Sequence, residues 1–281
     1  MGDCIAGGEH AMGTGCALPS RMFAVDRTSP SSAFDGVEMR VATWNLDGYR
    51  TSGTRAKNQA ATLGGLEADV LVLTEVMDDF IIPGMTPCFT APGQPPYKPA
   101  NRAAGIWSQW PSSRLPVTNE RLSVCVALDA PALFGRVIVY GTIITYAMDG
   151  VRSKEARAWE RHREAVRDVT EDCRTLRQNY PEWHLVLAGD FNMNLDGTKW
   201  YGDKHATNLL LEGLTKTGMM CHTSEDIRKV HGADRANIDH IWTSEGLGAI
   251  SPLKIWNARR DESDQLSDHN GVAIDLLPNG H

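Results

Sequence analysis

The sequence predicts an α/β (α+β) fold, one domain of two sheets with a few covering helices. Three observations lead there. Strand-like apolar runs outnumber helical stretches, no internal repeat divides the chain, and its 281 residues suffice for one large domain. That combination fits two sheets better than a doubly wound parallel sheet.

Residues 1–37 are rich in Gly, Ser, Ala and Pro and lack sustained periodicity. They read as a disordered or loosely attached leader without a part in activity, with Met22 and Met39 as alternative starts and the domain over 38–281. "MRVATWNLDG" is a strand from Arg40 to Trp44 ending in a polar turn. "TRAKNQAATLGGLEA" is a helix closed by Gly64-Gly65, and "DVLVLTEVMDD" holds a second buried strand, Val70 to Thr74, ending at Glu75. From Asp79 to Ala104, Pro and Gly predict mostly loop. "GIWSQWP", "RLSVCVAL" and "RVIVYGTIITY" are strands, with Trp107 and Trp110 as core. The clearest helix is "KEARAWERHREAVRDVTEDCRTLRQNY", where Ala156, Trp159, Val166, Val169, Cys173, Leu176 and Tyr180 recur at helical spacing before Pro181. In "LVLAGDFNMNLD" an apolar strand, Leu185 to Ala188, stops at Gly189 and hands Asp190 and Asn192 to the loop beyond. A helix around Asn208 to Lys216 and the strands "NIDHIWTS" and "GVAIDLL" complete the order.

An apolar fraction of 42% and a charged fraction of 22% suit a globular domain with a full core. No apolar run approaches the roughly 20 residues that span a bilayer, so no membrane insertion is expected. The start lacks a basic-then-apolar export signal, and Ala6 replaces the hydroxyl residue of a myristoylation site. Six scattered cysteines without a CxxC pair read as free thiols, so the chain is expected to be cytoplasmic, and a monomer. The net charge of −7 argues against coating nucleic acid non-specifically, yet allows an enzyme on a phosphate ester once a bound cation reverses the local field.

The strand ends share one chemistry. Asn45 and Asp47 follow the first strand, Glu75 the second, and Asp190 and Asn192 the central one. Asp239 stands in "NIDHIW" where an apolar residue is expected, and Asp268 and His269 precede the last strand. Each alone could be a cap or turn residue. Together at one sheet edge they make a carboxylate cluster with too few cations, which is costly unless a metal occupies it. Hard oxygen ligands, no Cys and one His point to Mg²⁺ or Mn²⁺ over zinc. No GxSxG, GxxxxGK[ST] or HExxH motif supports a serine hydrolase, P-loop or zincin reading.

In order and spacing, "ATWNLDG", "LVLTE", "GIWSQWP", "LAGDFN", "IDHIW" and "LSDHNGV" resemble the endonuclease/exonuclease/phosphatase superfamily, over residues 39–277. The resemblance implies a four-layer α/β sandwich of two packed mixed sheets flanked by helices, and a DNase-I-like metal-dependent hydrolase in which water attacks phosphorus. Carried over by position, Glu75 would bind Mg²⁺ (or Mn²⁺), with Asn45, Asp47 and Asp268 around it. Asp190 would be the general base, Asn192 would hold phosphate or water, and His269, oriented by Asp239, would donate to a phosphate oxygen. Tyr146 matches the Tyr of the abasic endonucleases, with Tyr140 as competitor. Asp149 stands where those enzymes have an Asn, and the loop after "GDFN" differs, carrying Trp200 and Tyr201. Trp200 and Trp256 are candidates to line the substrate cleft.

The implied activity is a phosphodiesterase or nuclease acting on a phosphate ester, DNA or RNA first. The alternatives are a phosphomonoesterase on a small-molecule or lipid phosphate, favoured by net acidity and Asp149, and a catalytically silent binding module of the same fold.

Overall fold

Strand β1 (Met39–Asn45) is buried at every position because a different layer covers each of its faces. Met39 and Val41 point into one core with Val70, Val72, Val139, Val186 and Ala188. Ala42 and Trp44 point into another with Leu63, Leu71 and Leu73. The computed structural model describes residues 38–48, 52–149, 157–259 and 265–279, all within the unit Gly36–His281. The leader expected over residues 1–37 lies outside the described residues.

The chain continues through α1 (Gly53–Gly64), β2 (Val70–Met77), β3 (Thr86–Phe89), β4 (Asn101–Ser108), β5 (Ser112–Leu115), β6 (Ser123–Leu128) and β7 (Val137–Ile143). Then come α2 (Glu160–Asn179), β8 (His184–Asp190), α3 (Lys204–Lys216), β9 (Met219–Cys221) and the short α4 (Ile227–His231). The last elements are β10 (Asp239–Ser244), β11 (Leu247–Ala249), β12 (Lys254–Trp256) and β13 (Gly271–Pro278).

Among the described residues these strands form two sheets. One has the order β11-β13-β1-β2-β4-β3, with β12 beside β13, and the other β5-β6-β7-β8-β10-β9. Both are mixed: β1 and β2 run parallel, as do β7 and β8, while β13 and β4, and β6 and β10, flank them antiparallel. The sheets pack face to face through their aliphatic inner faces. Leu63 of α1 covers the first sheet, and Val166, Val169 and Cys173 of α2 with Leu210 and Leu214 of α3 cover the second. The result is the four-layer α/β sandwich.

The differences from expectation have local causes. Helix α2 starts at Glu160, because Trp159 takes a left-handed φ of 68° as its N-cap. Strand β2 runs through Glu75 to Met77, and β8 passes through Gly189 to Asp190. Gly189 has φ 141°, and a Cβ there would sit 1.9 Å from the Thr142 carbonyl oxygen, so only glycine lets β7 and β8 pair at this point. The Pro- and Gly-rich stretch after Asp79 contains β3 and the start of β4. Trp107 is core as expected, and Trp110, though past the end of β4, packs half-buried against the inner core.

Candidate active site

Alternation along β1 puts Asn45 on the same inner face as Met39 and Val41, and along β8 puts Asp190 on that of Val186 and Ala188. The two side chains therefore meet at the shared edge of the sheets. Asn45 Nδ2 donates to Asp190 Oδ2 at 3.0 Å and to Glu75 Oε1 at 3.3 Å. Strict alternation would turn Glu75 toward the α1 layer. A φ of 53° brings it round instead, a conformation that costs a non-glycine residue roughly 1–3 kcal/mol and recurs at functional sites.

Asp190 and Asp239 are directly opposite each other across the β8–β10 pair, and both are buried. Like charges in that relation destabilise a sheet. Burial, and then Asp239, push the Asp190 carboxyl up to about 7, against the opposing pull of His269 and of hydrogen bonds from Asn192 and Asn45. Asp190 accepts from the Asn192 backbone N–H at 2.8 Å and from Asn192 Nδ2 at 3.0 Å. Asn192 is itself left-handed, with φ 49°, and ties Asp190 to the Ile144 carbonyl at 2.8 Å. Burial likewise raises Asp239 and Glu75 above the ordinary carboxylate range.

His269 Nδ1 lies 2.6 Å from Asp239 Oδ2. Burial is the largest influence on this imidazole and disfavours its charged form, but Asp239, Asp190 and Asp268 outweigh it and hold the group up to about 10. Ligand atoms of Asp190, Asp239 and His269 all lie within 4.8 Å of one another. The segment carrying His269 is stitched to β1: Trp44 Nε1 donates to the His269 carbonyl at 2.9 Å, and Ser267 Oγ donates to the Asn45 carbonyl at 2.5 Å. Asp268 is exposed beside His269, its Oδ1 3.7 Å from His269 Nε2.

This centre opens into a cleft of about 820 Å³ lined by Glu75, Asp190, Asn192, Asp268 and His269. Tyr146, Asp149, Trp200 and Tyr201 also line it. Of the two candidate tyrosines, Tyr146 is in the cleft and Tyr140 is not; Tyr140 is fully buried and donates to Asp172 Oδ2 at 2.7 Å beneath α2. Asp47 neighbours the centre but pairs with Arg55 at 2.5 Å. Asn45 gives its amide nitrogen to the carboxylates while its oxygen accepts the Asp47 N–H at 2.8 Å, so in this arrangement it links Glu75 to Asp190.

Trp256 corrects the expectation that it lines the cleft. It packs edge-on to Trp44 at 5.6 Å and lies over Gly271, where any Cβ would overlap its ring. Arg235, which the sequence reading missed, lines the cleft and donates to the Asp268 carbonyl at 3.0 Å. Its signal was a lone Arg four residues ahead of Asp239 in a polar loop. Arg121 and Asn119 were missed too, because they sit on a loop that only the tertiary fold brings to the cleft.

The profile of the endonuclease/exonuclease/phosphatase family matches residues 42–269. No curated protein matches the sequence. An endonuclease/exonuclease/phosphatase from Bacteroides vulgatus is similar over 86% of this chain and 100% of its own, at 16% identity and a TM-score of 0.60. The human nocturnin catalytic domain, solved with bound sulfate, is similar over 86% of this chain and 94% of its own, at 17% identity and a TM-score of 0.59. A Neisseria 3′ phosphatase bound to a product DNA hairpin is similar over 84% of this chain and 98% of its own, at 20% identity and a TM-score of 0.56. At such identities the likeness is one of fold.

Proposed function

The chain belongs to the endonuclease/exonuclease/phosphatase family, and from that premise we propose a divalent-metal-dependent hydrolase of phosphodiesters, with nucleic acid the first substrate class. The observation that carries the reading is the trio of buried Asp239 and Asp190 with half-buried His269, held against Asp239 at 2.6 Å.

Several features fit a hard cation. Glu75, Asp190 and Asp239 crowd one sheet edge with His269 as their close cation, and Asp239 Oδ1 is buried without a hydrogen-bond partner among the described residues. Glu75 would hold the ion, with Asp268 beside it, because His269 as an imidazolium has no lone pair to offer. Asp47 and Asn45 would act from behind, through Arg55 and through the amide bridge. Bound there, Mg²⁺ or Mn²⁺ would offset the negative charge that builds on phosphate oxygens.

The protein groups divide the remaining work. Asp190, fixed by Asn192 and Asn45, takes the proton from the attacking water at its carboxylate. Asn192 sets the orientation of that carboxylate. His269 donates from Nε2 to a phosphate oxygen, and Asp239 holds the ring through Nδ1. Tyr146 reaches the same cleft from the loop after β7. Asp149, at the cleft wall, lies 3.8 Å from the Arg161 guanidinium, which offsets its charge toward a phosphate.

The test is turnover of bis(p-nitrophenyl) phosphate and p-nitrophenyl phosphate with Mg²⁺ or Mn²⁺, with and without chelator, using Asp190→Ala as control. Metal-dependent cleavage of the diester, lost in the variant, supports the proposal. Release from the monoester alone moves the substrate to phosphorylated small molecules or lipids. Failure to bind Mn²⁺ in a calorimetric titration, together with silence on both esters, revives a binding module.

A further inference from the structure

Trp200 leaves half of its surface in the cleft, at 50% exposed, although the loop that bears it is tightly held. Asn194 Oδ1 accepts the Tyr201 N–H at 2.8 Å, and the Asn194 N–H donates to the Tyr201 carbonyl at 3.0 Å. Thr198 N–H closes a turn onto Asp196 Oδ1 at 2.8 Å. Lys199, immediately before the indole, is held at φ 54°. Behind Trp200 the rings of Tyr201, Trp159 and His162 follow at 6.2, 5.4 and 4.9 Å. The exposure is thus built into an ordered loop.

We infer that Trp200 is a stacking platform for an unpaired nucleobase flanking the reacting phosphate. The inference rests on the hydrolase reading above and narrows its substrate to unpaired nucleotides joined by a diester. An indole face is matched by the face of another flat ring. In a duplex both faces of each base are covered by neighbours, so a ring face becomes available only in a single strand or an extruded nucleotide. Tyr146, 48% exposed, adds a second aromatic surface on the same cleft. The cleft volume, about 820 Å³, lies in the range of sites for small ligands. The cleft wall near α2 presents Asp149, Glu164 and Asp168 beside Arg161, whose guanidinium lies 3.8 Å from Asp149, while Arg121 and Arg235 line the cleft as well.

The experiment compares two monoanionic diesters, thymidylyl-thymidine and bis(glyceryl) phosphate, for the wild type, Trp200→Ala and Trp200→Phe. Turnover is measured with Mn²⁺, and dinucleotide binding by calorimetry with EDTA. In Trp200→Ala the preference for the dinucleotide should fall roughly tenfold, through KM more than kcat, and Trp200→Phe should keep most of it. An unchanged preference in Trp200→Ala, or equal loss in both variants, overturns the platform while leaving the hydrolase reading intact. If the wild type cleaves neither diester, binding decides: dinucleotide affinity that depends on the ring at 200 supports the platform though the hydrolase reading fails, and affinity independent of it overturns the platform as well.

Discussion

Asp239 holds His269 Nδ1 at 2.6 Å with one carboxylate oxygen and leaves the other buried without a hydrogen-bond partner among the described residues. A neutral amide in its place would keep the shape but remove the anion that stabilises the imidazolium. Asp239→Asn is expected to lower turnover by about 100-fold or more. Imidazole NMR on metal-free protein should show His269 titrating well below its wild-type value of about 10. The sign follows from linkage. A histidine raised in the folded state adds stability that is complete below its unfolded value near 6.5 and is lost as pH climbs through about 10. The variant should lack that loss. An unshifted histidine would count against the pairing.

Asp190 faces Asp239 across a strand pair at a cost to the fold. Asp190→Asn should abolish turnover yet stabilise the metal-free protein, by on the order of 1–2 kcal/mol. The gain should be absent at acid pH and appear as pH rises from about 4 toward 7, the interval over which the wild-type carboxyl would ionise unfolded but resists ionising folded. Chemical denaturation at several pH values checks it, and a less stable variant would show the opposed pair is not under strain.

Glu75 combines a left-handed backbone with a carboxylate aimed at the centre. Glu75→Gln should weaken Mn²⁺ binding by at least about tenfold in a calorimetric titration. Glu75→Gly should bind no better than Glu75→Gln but unfold at a higher temperature without metal, since glycine adopts this φ freely. Thermal midpoints of the two variants separate the strain from the ligand.

Away from the cleft, Asp275 receives Arg40 Nε at 2.6 Å and Lys254 Nζ at 2.8 Å. Burial would raise its carboxyl, but these cations outweigh burial and hold it below the usual range. Asp275→Asn should cost roughly 3 kcal/mol at neutral pH by stranding Arg40. The wild type's advantage is present above an unfolded value near 3.9 and should fade as pH drops through the lower folded one. Urea titrations at pH 7 and pH 3 measure the difference.

The longer strands were legible because both their faces are buried, which writes them as unbroken apolar runs such as Val70 to Leu73 and Leu185 to Ala188. Their ends were less so. Gly189 reads as a stop, yet it continues β8 because the neighbouring carbonyl leaves no room for a side chain. Glu75 reads as the residue past a strand end, yet it lies within β2 and reaches the centre only through its φ, which no residue pattern reports. Strands of three or four residues, such as β9 and β12, are too short to show a period.

At the candidate site, the carboxylates and His269 were legible because polar residues interrupt apolar runs at recurring places. Trp256 was not, since an aromatic in a turn-rich segment looks the same whether it faces solvent or a glycine. The end of β7 separates the two tyrosines: Tyr140 shares a face with Ile138 toward α2, whereas Tyr146 lies beyond the strand.

The stitching of His269 to β1 also governs when the centre can exist. Trp44 and His269 are 225 residues apart in sequence, and β1 lies between β2 and β13. Closing so long a loop is slow and must precede any reward from the contact. During synthesis, Asn45, Glu75 and Asp190 leave the ribosome long before the imidazole that completes them. A product truncated ahead of β13 would retain Asp190 and the acidic edge but have no anchored His269. If the proposed reading holds, the centre stays incomplete until β13 is in place.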